Sequence, residues 1–202
     1  SQIYIKLDES GELIEANRDE KDVTIIIPCT MESESRVGNP AAHPLCDQLD
    51  FLSGKNKDKY ENYLGILGKW KEAADGNARK KLEAVYNYVS QNDILADLTE
   101  KVIFKSAEMK GEEPDWEKVR KLGVRFAVEI KDDPIWNVWE DKSIRQSWID
   151  FVKNQRKVGG EYFDYLTGEK VSRVAKYHPK NINSMVANAK IFSCNDFSGF
   201  TF

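Results

Sequence analysis

The sequence predicts an α+β fold: a small N-terminal antiparallel sheet, a helical middle, and a second β-rich part with a hairpin. Three observations predict it. Apolar and polar residues alternate at the start of the chain, i, i+3, i+4 spacing takes over in the middle, and alternation returns afterwards. The chain has 202 residues, 41% of them hydrophobic and 11% aromatic, which is enough apolar surface for a core. The expected divisions are 1–43 for the first sheet and a long loop, 44–100 for the helical region, and 101–202 for a mixed region with a basic hairpin, integrated into one piece. Both ends read as cut. Alternation begins at Ile3, and the chain stops at Phe202 inside the run DFSGFTF, so a fragment of a longer subunit is expected.

Element by element, Ile3, Ile5 and Leu7 alternate with Tyr4 and Lys6, Ser10-Gly11 makes a turn, and Leu13-Ile14 starts a return strand. The β-branched run Val23 to Ile27, ended by Pro28, predicts a third strand. Residues 29–43 have no periodicity and read as a long loop, a type that is often functional. Tyr60, Tyr63, Leu64, Leu67, Trp70 and Ala74 share one helix face. Leu82, Val85, Tyr86 and Val89 repeat the pattern, and Ile94, Leu95 and Leu98 suggest a short third helix. Pro114-Asp115 opens a short helix through Trp116, Val119 and Leu122, and Val124, Phe126, Val128 and Ile130 alternate as a half-buried strand. Residues 134–155 are expected to be helical, with Ile144, Trp148, Phe151 and Val152 on one side. Residues 161–177 read as a hairpin about Thr167-Gly168, and Ile191 to Asn195 as a last strand.

Charge and motifs narrow the function. The formal net charge is −4, from 30 Lys/Arg against 34 Asp/Glu. Residues 141–202 carry ten Lys/Arg and six Asp/Glu, a net +4, so residues 1–140 carry −8. Such a chain binds nucleic acid only through a short contact or beside cationic neighbours. The three cysteines, Cys29, Cys46 and Cys194, form neither a disulfide framework nor a zinc pattern, and they fit a reducing cytoplasm. No apolar run is long enough for a membrane span.

No Walker loop, HExxH or GxSxG is present, and the only histidines are His43 and His178. Cys194 with His178 can be drawn as a nucleophile pair, but within IFSCN the cysteine reads as a small buried hydrophobe. Asp132-Asp133 and Glu112-Glu113 read as solvated loop charge rather than metal ligands. The expectation is a non-enzyme without a cofactor or metal.

Binding features concentrate near the C-terminal end. Lys153, Arg156 and Lys157 close a helix beside Gly159-Gly160, where cations also suit the helix terminus. Lys170, Arg173, Lys176, Lys180 and Lys190 add donors for phosphate, and each alone also reads as solvated surface. In the 29–43 loop, Arg36 sits beside Gly38 and Asn39, a set that allows close backbone approach and base-edge contact, or an ordinary exposed loop.

The order of segments resembles the Csd family, the large subunit of type I-C CRISPR Cascade. YIKLDESGELIEA resembles the family's opening hairpin, VTIIIP the strand after it, and SRVGNPAAHPLCDQLDFLSG its Arg/Ser/Gly loop and short helix. KYENYLGIL and SIRQSWIDFV are similar to two family helices, and YLTGEKVSRVAKYHPKNI to a pattern of Leu, Thr-Gly-Glu, then His-Pro and a basic residue. NAKIFSCNDFSGFTF resembles the segment that follows, so the likeness spans nearly the whole chain.

The resemblance implies a non-catalytic subunit that recognises the short motif flanking a target (the PAM), helps open the duplex, and stabilises the displaced strand in antiviral defence. Base pairing with a guide RNA reads the rest of the target. It implies as partners the other Cascade subunits and guide RNA, target double-stranded DNA, and a helicase-nuclease recruited after binding. Arg36, Gly38 and Asn39 become PAM-side candidates, and Lys170, Arg173, Lys176 and Lys180 backbone-contact candidates. The competing expectation is a purely structural docking piece that never touches DNA.

Overall fold

Alternating burial turns the first apolar residues into strand β1 (Ile3–Leu7), whose Ile3, Ile5 and Leu7 are fully buried. A tight turn follows. Asp8 Oδ1 accepts from the backbone N–H groups of Ser10, Gly11 and Glu12, each at 2.9 Å. The chain returns as β2 (Leu13–Arg18), antiparallel to β1. Gly11 is at φ +97°, and a Cβ there would lie 2.6 Å from the Ala84 carbonyl, so the turn can press onto the neighbouring helix only with glycine. The computed structural model describes residues 1–34, 40–155, 162–163 and 168–171. Its packing divides the chain into two units, residues 1–155 and 156–202.

In the first unit a four-stranded sheet has the order β2-β1-β6-β3, with β3 at Cys46–Gln48 and β6 at Gly123–Val128. Two ladders are antiparallel, and β6 runs parallel to β1. The sheet therefore draws on residues far apart in sequence. The strand expected at Val23 to Ile27 does not form. That stretch joins no ladder and is tied to the fold by a pair of 2.9 Å bonds between Val23 and Ser1. Among its described residues the long loop holds one short helix, α1 (Met31–Glu34).

The helical middle follows the apolar spacing: α2 (Leu49–Leu52), α3 (Lys57–Ala73), α4 (Gly76–Gln91) and α5 (Ile94–Glu100). Asn56 caps α3 by accepting from Lys59 N–H, and Asp93 caps α5 by accepting from the N–H groups of Leu95 and Ala96. Helix α4 packs on the sheet, where Tyr88 meets Phe126 edge-on with ring centroids 6.2 Å apart. A small hairpin, β4 (Met109–Lys110) with β5 (Glu113–Pro114), and the short helix α6 (Trp116–Val119) lead into β6.

Residues 134–141 are not helical, contrary to the periodicity. Their backbone instead lies along β6: Val128 N–H donates to the Trp136 carbonyl at 2.9 Å, and Ala127 bridges Asn137. Helix α7 (Lys142–Gln155) begins only where Asp141 accepts from Ser143 N–H at 2.7 Å. It docks on α3 and α4, with Trp148 packed 4.9 Å from Trp70 and Ser147 Oγ accepting from the Trp70 indole N–H at 3.0 Å. Full burial of Leu67 and Phe126 contributes about 1.5–3 kcal/mol for each side chain.

In the second unit the expected hairpin is present in its described part: β7 (Tyr162–Phe163) pairs antiparallel with β8 (Lys170–Val171), and Gly168 has φ +71°. The strand expected at 191–195 lies outside the described residues. These elements make the protein α+β. Among the described residues no helix is long and apolar enough to cross a membrane.

Candidate nucleic-acid interface

The loop between β2 and β3 carries a local cap near its start and is tied to the fold at its second stem by hydrogen bonds. On the first stem, Thr30 N–H donates to Ser33 Oγ at 2.8 Å while Ser33 N–H donates to Thr30 Oγ1 at 3.1 Å, a reciprocal cap on α1. On the second, Ala42 N–H donates to Asn62 Oδ1 of α3 at 2.9 Å. Asp47, buried on β3, accepts from the N–H groups of His43 at 2.7 Å and Gln48 at 2.8 Å. Ala42 and Leu45 are buried in the core. Leu45 has φ +66°, a left-handed backbone conformation that costs a branched residue strain and persists where its surroundings fix it. Arg36, Gly38 and Asn39 sit between these two stems in sequence and lie outside the described residues.

Of the eight nominated backbone-contact cations, Lys153 and Lys170 are described. Lys153 is exposed in the last turn of α7, where it also complements the helix terminus. Lys170 is exposed on β8, opposite Phe163. Arg156, Lys157, Arg173, Lys176, Lys180 and Lys190 lie outside the described residues, as does the His178 and Cys194 pair. The two described lysines belong to different units, so each is placed by its own element and no joint patch is described.

Two charged constellations in the first unit escaped the sequence reading. Lys81 of α4 is fully buried. Its Nζ lies 2.9 Å from Asp133 Oδ2, 2.5 Å from Asp141 Oδ2, and 2.6 Å from the Ile135 carbonyl. Burial by itself pushes both carboxyls up. The Lys81 ammonium, with N–H donation from Ile135 to Asp133 and donation from Ser143 to Asp141, outweighs it and holds both below the usual carboxylate range. Asp133 is thus an internal counterion, not the solvated loop charge expected of Asp132-Asp133. A signal was present, because Lys81 shares the buried stripe of Ala78, Val85 and Tyr88.

The second is Arg125 of β6. It forms an ion pair with Asp19 on the outer face of the sheet, with the rings of Tyr4 and Trp139 at 5.4 and 5.1 Å from its guanidinium. Among the described residues no group of three or more His, Cys, Asp or Glu side chains is placed to hold a metal ion. What the unit offers chemically is two internal ion-pair clusters, around Lys81 and Arg125, and a loop tied to α3 and β3 at its second stem.

Comparison with curated proteins finds no match. The loop, hairpin and helices on which the sequence resemblance rests are instead covered together by one family model, described as CRISPR-associated protein (Cas_Csd1), which matches residues 1–202, and the chain belongs to that family.

Proposed function

We propose that this chain is part of the non-catalytic large subunit of a type I-C interference complex. In this reading it contributes to PAM recognition, to opening of the duplex and to stabilisation of the displaced strand, working beside other Cascade subunits, guide RNA and a recruited helicase-nuclease. The observation that carries the reading is a loop whose second stem is tied to α3 and β3, within a chain of the CRISPR-associated family. Asn62 holds that stem at Ala42 and Asp47 holds it at His43, next in sequence to the segment bearing Arg36, Gly38 and Asn39. A base-reading arginine needs such a mount, because a bidentate contact to guanine discriminates by about 1–3 kcal/mol only when its geometry is fixed.

The cationic residues from Lys153 to Lys190 would serve the phosphate backbone without reading sequence. The test is target-DNA affinity of the assembled complex as a function of salt. Arg36→Ala is expected to weaken binding to the cognate flanking motif while sparing DNA that lacks it. The combined charge reversal Lys170→Glu, Arg173→Glu and Lys176→Glu is expected to reduce the salt slope by roughly 3, about 0.9 for each phosphate no longer neutralised. Complexes that keep parental affinity and salt slope with both variants would favour the second reading, a purely structural docking role. The net −8 of residues 1–140 supports that alternative, since an acidic surface suits cationic neighbours.

A further inference from the structure

An open cleft of about 870 Å³ lies in the first unit between the β1–β2 turn and residues 129–136. Ile14, Pro134 and Trp136 supply its apolar surface. Ile14 is 45% exposed and Trp136 40%. Two large apolar side chains exposed on one cleft mark a surface that meets something other than water. Tryptophan in particular tends to carry the binding energy of protein interfaces. Trp136 is also held in place, with Lys6 Nζ 4.0 Å from its ring centroid.

The rim decides what the occupant is. The cleft lining carries Asp8, Glu9, Glu129, Asp132 and Asp133 against Lys131. Five carboxylates against one lysine make a local −4. Lys6, Lys80 and Lys81 reach in from other elements to pair with Glu129, Glu9 and Asp133, which leaves −1. The Glu9–Lys80 pair is half exposed on both sides, so an incoming cation can replace Lys80 at little cost. A phosphate backbone would meet like charge here. A protein segment bearing lysine or arginine beside an apolar side chain meets complementary charge and an apolar seat at once.

We propose that this cleft is the docking surface for a basic, apolar-tipped segment of another protein component of the CRISPR-associated assembly. The partner class rests on the proposed role in an interference complex, since a neighbour that holds RNA must itself be cationic. Glu9, Asp132 and Trp136 provide recognition, and the DNA-facing residues lie elsewhere in the chain.

The test uses the full chain with the other Cas proteins encoded beside it, measuring assembly by native mass spectrometry and affinity by biolayer interferometry across a salt series. Trp136→Ala is expected to weaken assembly at least about tenfold at every salt concentration. Glu9→Lys with Asp132→Asn, both at exposed positions and the asparagine suited to the φ of +65° there, is expected to weaken it at low salt and to flatten its salt dependence, with an unchanged melting temperature. Unchanged affinity in the charge-reversed variant overturns the proposal. So does a loss of guide RNA or duplex binding by that variant with protein assembly intact, because the cleft would then serve nucleic acid. Failure of the DNA reading is separable: if the Arg36 and hairpin variants keep full target affinity while these two lose assembly, the cleft stands and the PAM reading falls.

Discussion

Replacing Lys81 by methionine tests how the first unit is held together. The substitution keeps the length and apolar stem of the side chain and removes only the ammonium. What remains is two aspartates facing one buried site, with Asp133 Oδ2 and Asp141 Oδ2 deprived of a partner at 2.9 and 2.5 Å and the Ile135 carbonyl of one at 2.6 Å. Breaking a buried pair from one side costs about 3–5 kcal/mol, because the stranded charge keeps its desolvation penalty. For a unit of this size, about 2–4 °C is lost per kcal/mol, so the melting temperature should fall by roughly 6–20 °C.

Circular dichroism melts and urea titrations measure the change. The triple variant Lys81→Met, Asp133→Asn, Asp141→Asn should recover most of it, since no orphaned charge remains. Acid titration gives an independent handle. Both carboxyls are depressed in the folded state, so their contribution is complete above the unfolded carboxyl value of about 3.9 and disappears as pH falls through the lower folded values. The parent should therefore lose stability below about pH 4, and Lys81→Met should lose less over the same window. A Lys81→Met melting temperature within about 2 °C of the parent, less than 1 kcal/mol on the same scale, would refute the reasoning.

Three further outcomes follow from the same geometry. Gly11→Ala places a Cβ 2.6 Å from the Ala84 carbonyl at a φ of +97°, and should cost more than about 1 kcal/mol in a urea titration. Asp47→Ala removes the acceptor of His43 N–H and Gln48 N–H, so limited proteolysis should cut residues 40–48 faster than in the parent, with a stability loss of about 1–3 kcal/mol. Ser147→Ala deprives the indole N–H of the fully buried Trp70 of its acceptor, which should lower stability by about 1–3 kcal/mol and shift tryptophan fluorescence.

What periodicity could read was decided locally. Helices α3 and α4 and the β1–β2 hairpin each expose one apolar face, and alternation or i, i+3, i+4 spacing reports that face whatever covers it. The Val23 to Ile27 run shows where this stops. Its β-branched residues favour extension, but a strand also needs a partner laid alongside it, and propensity does not say where the chain will run. The run joins no ladder, and its backbone is bonded to Ser1 at Val23. A partner alongside rewrote residues 134–141: their apolar spacing is compatible with a helix, and the open flank of β6 took their backbone instead. Three-residue β3 carries no period at all, and it exists because Cys46, Asp47 and Gln48 fall beside Arg125, Val124 and Gly123.

Charge obeys the same division between local pattern and distant partner. Composition counted Asp133 and Lys81 as two surface ions, and the fold makes them one buried cluster linking α4 to the approach of α7. The lysine could have been suspected, since it interrupts an apolar stripe, but its aspartates are more than fifty residues away and no spacing rule reaches them. The balance of −8 over residues 1–140 therefore overstates how acidic the surface is wherever carboxylates have found internal cations. It is informative where they have not, and the region around the cleft keeps a net negative charge after its lysines are counted. Arg36 poses the converse problem. Its second stem is tied by Asp47 and by Asn62 of α3, whose roles depend on which loop they close. A loop can be anchored by a handful of short-range bonds at its stems and leave its tip free to specialise, which is why the stems carry the fold and the tip is the place to test for recognition.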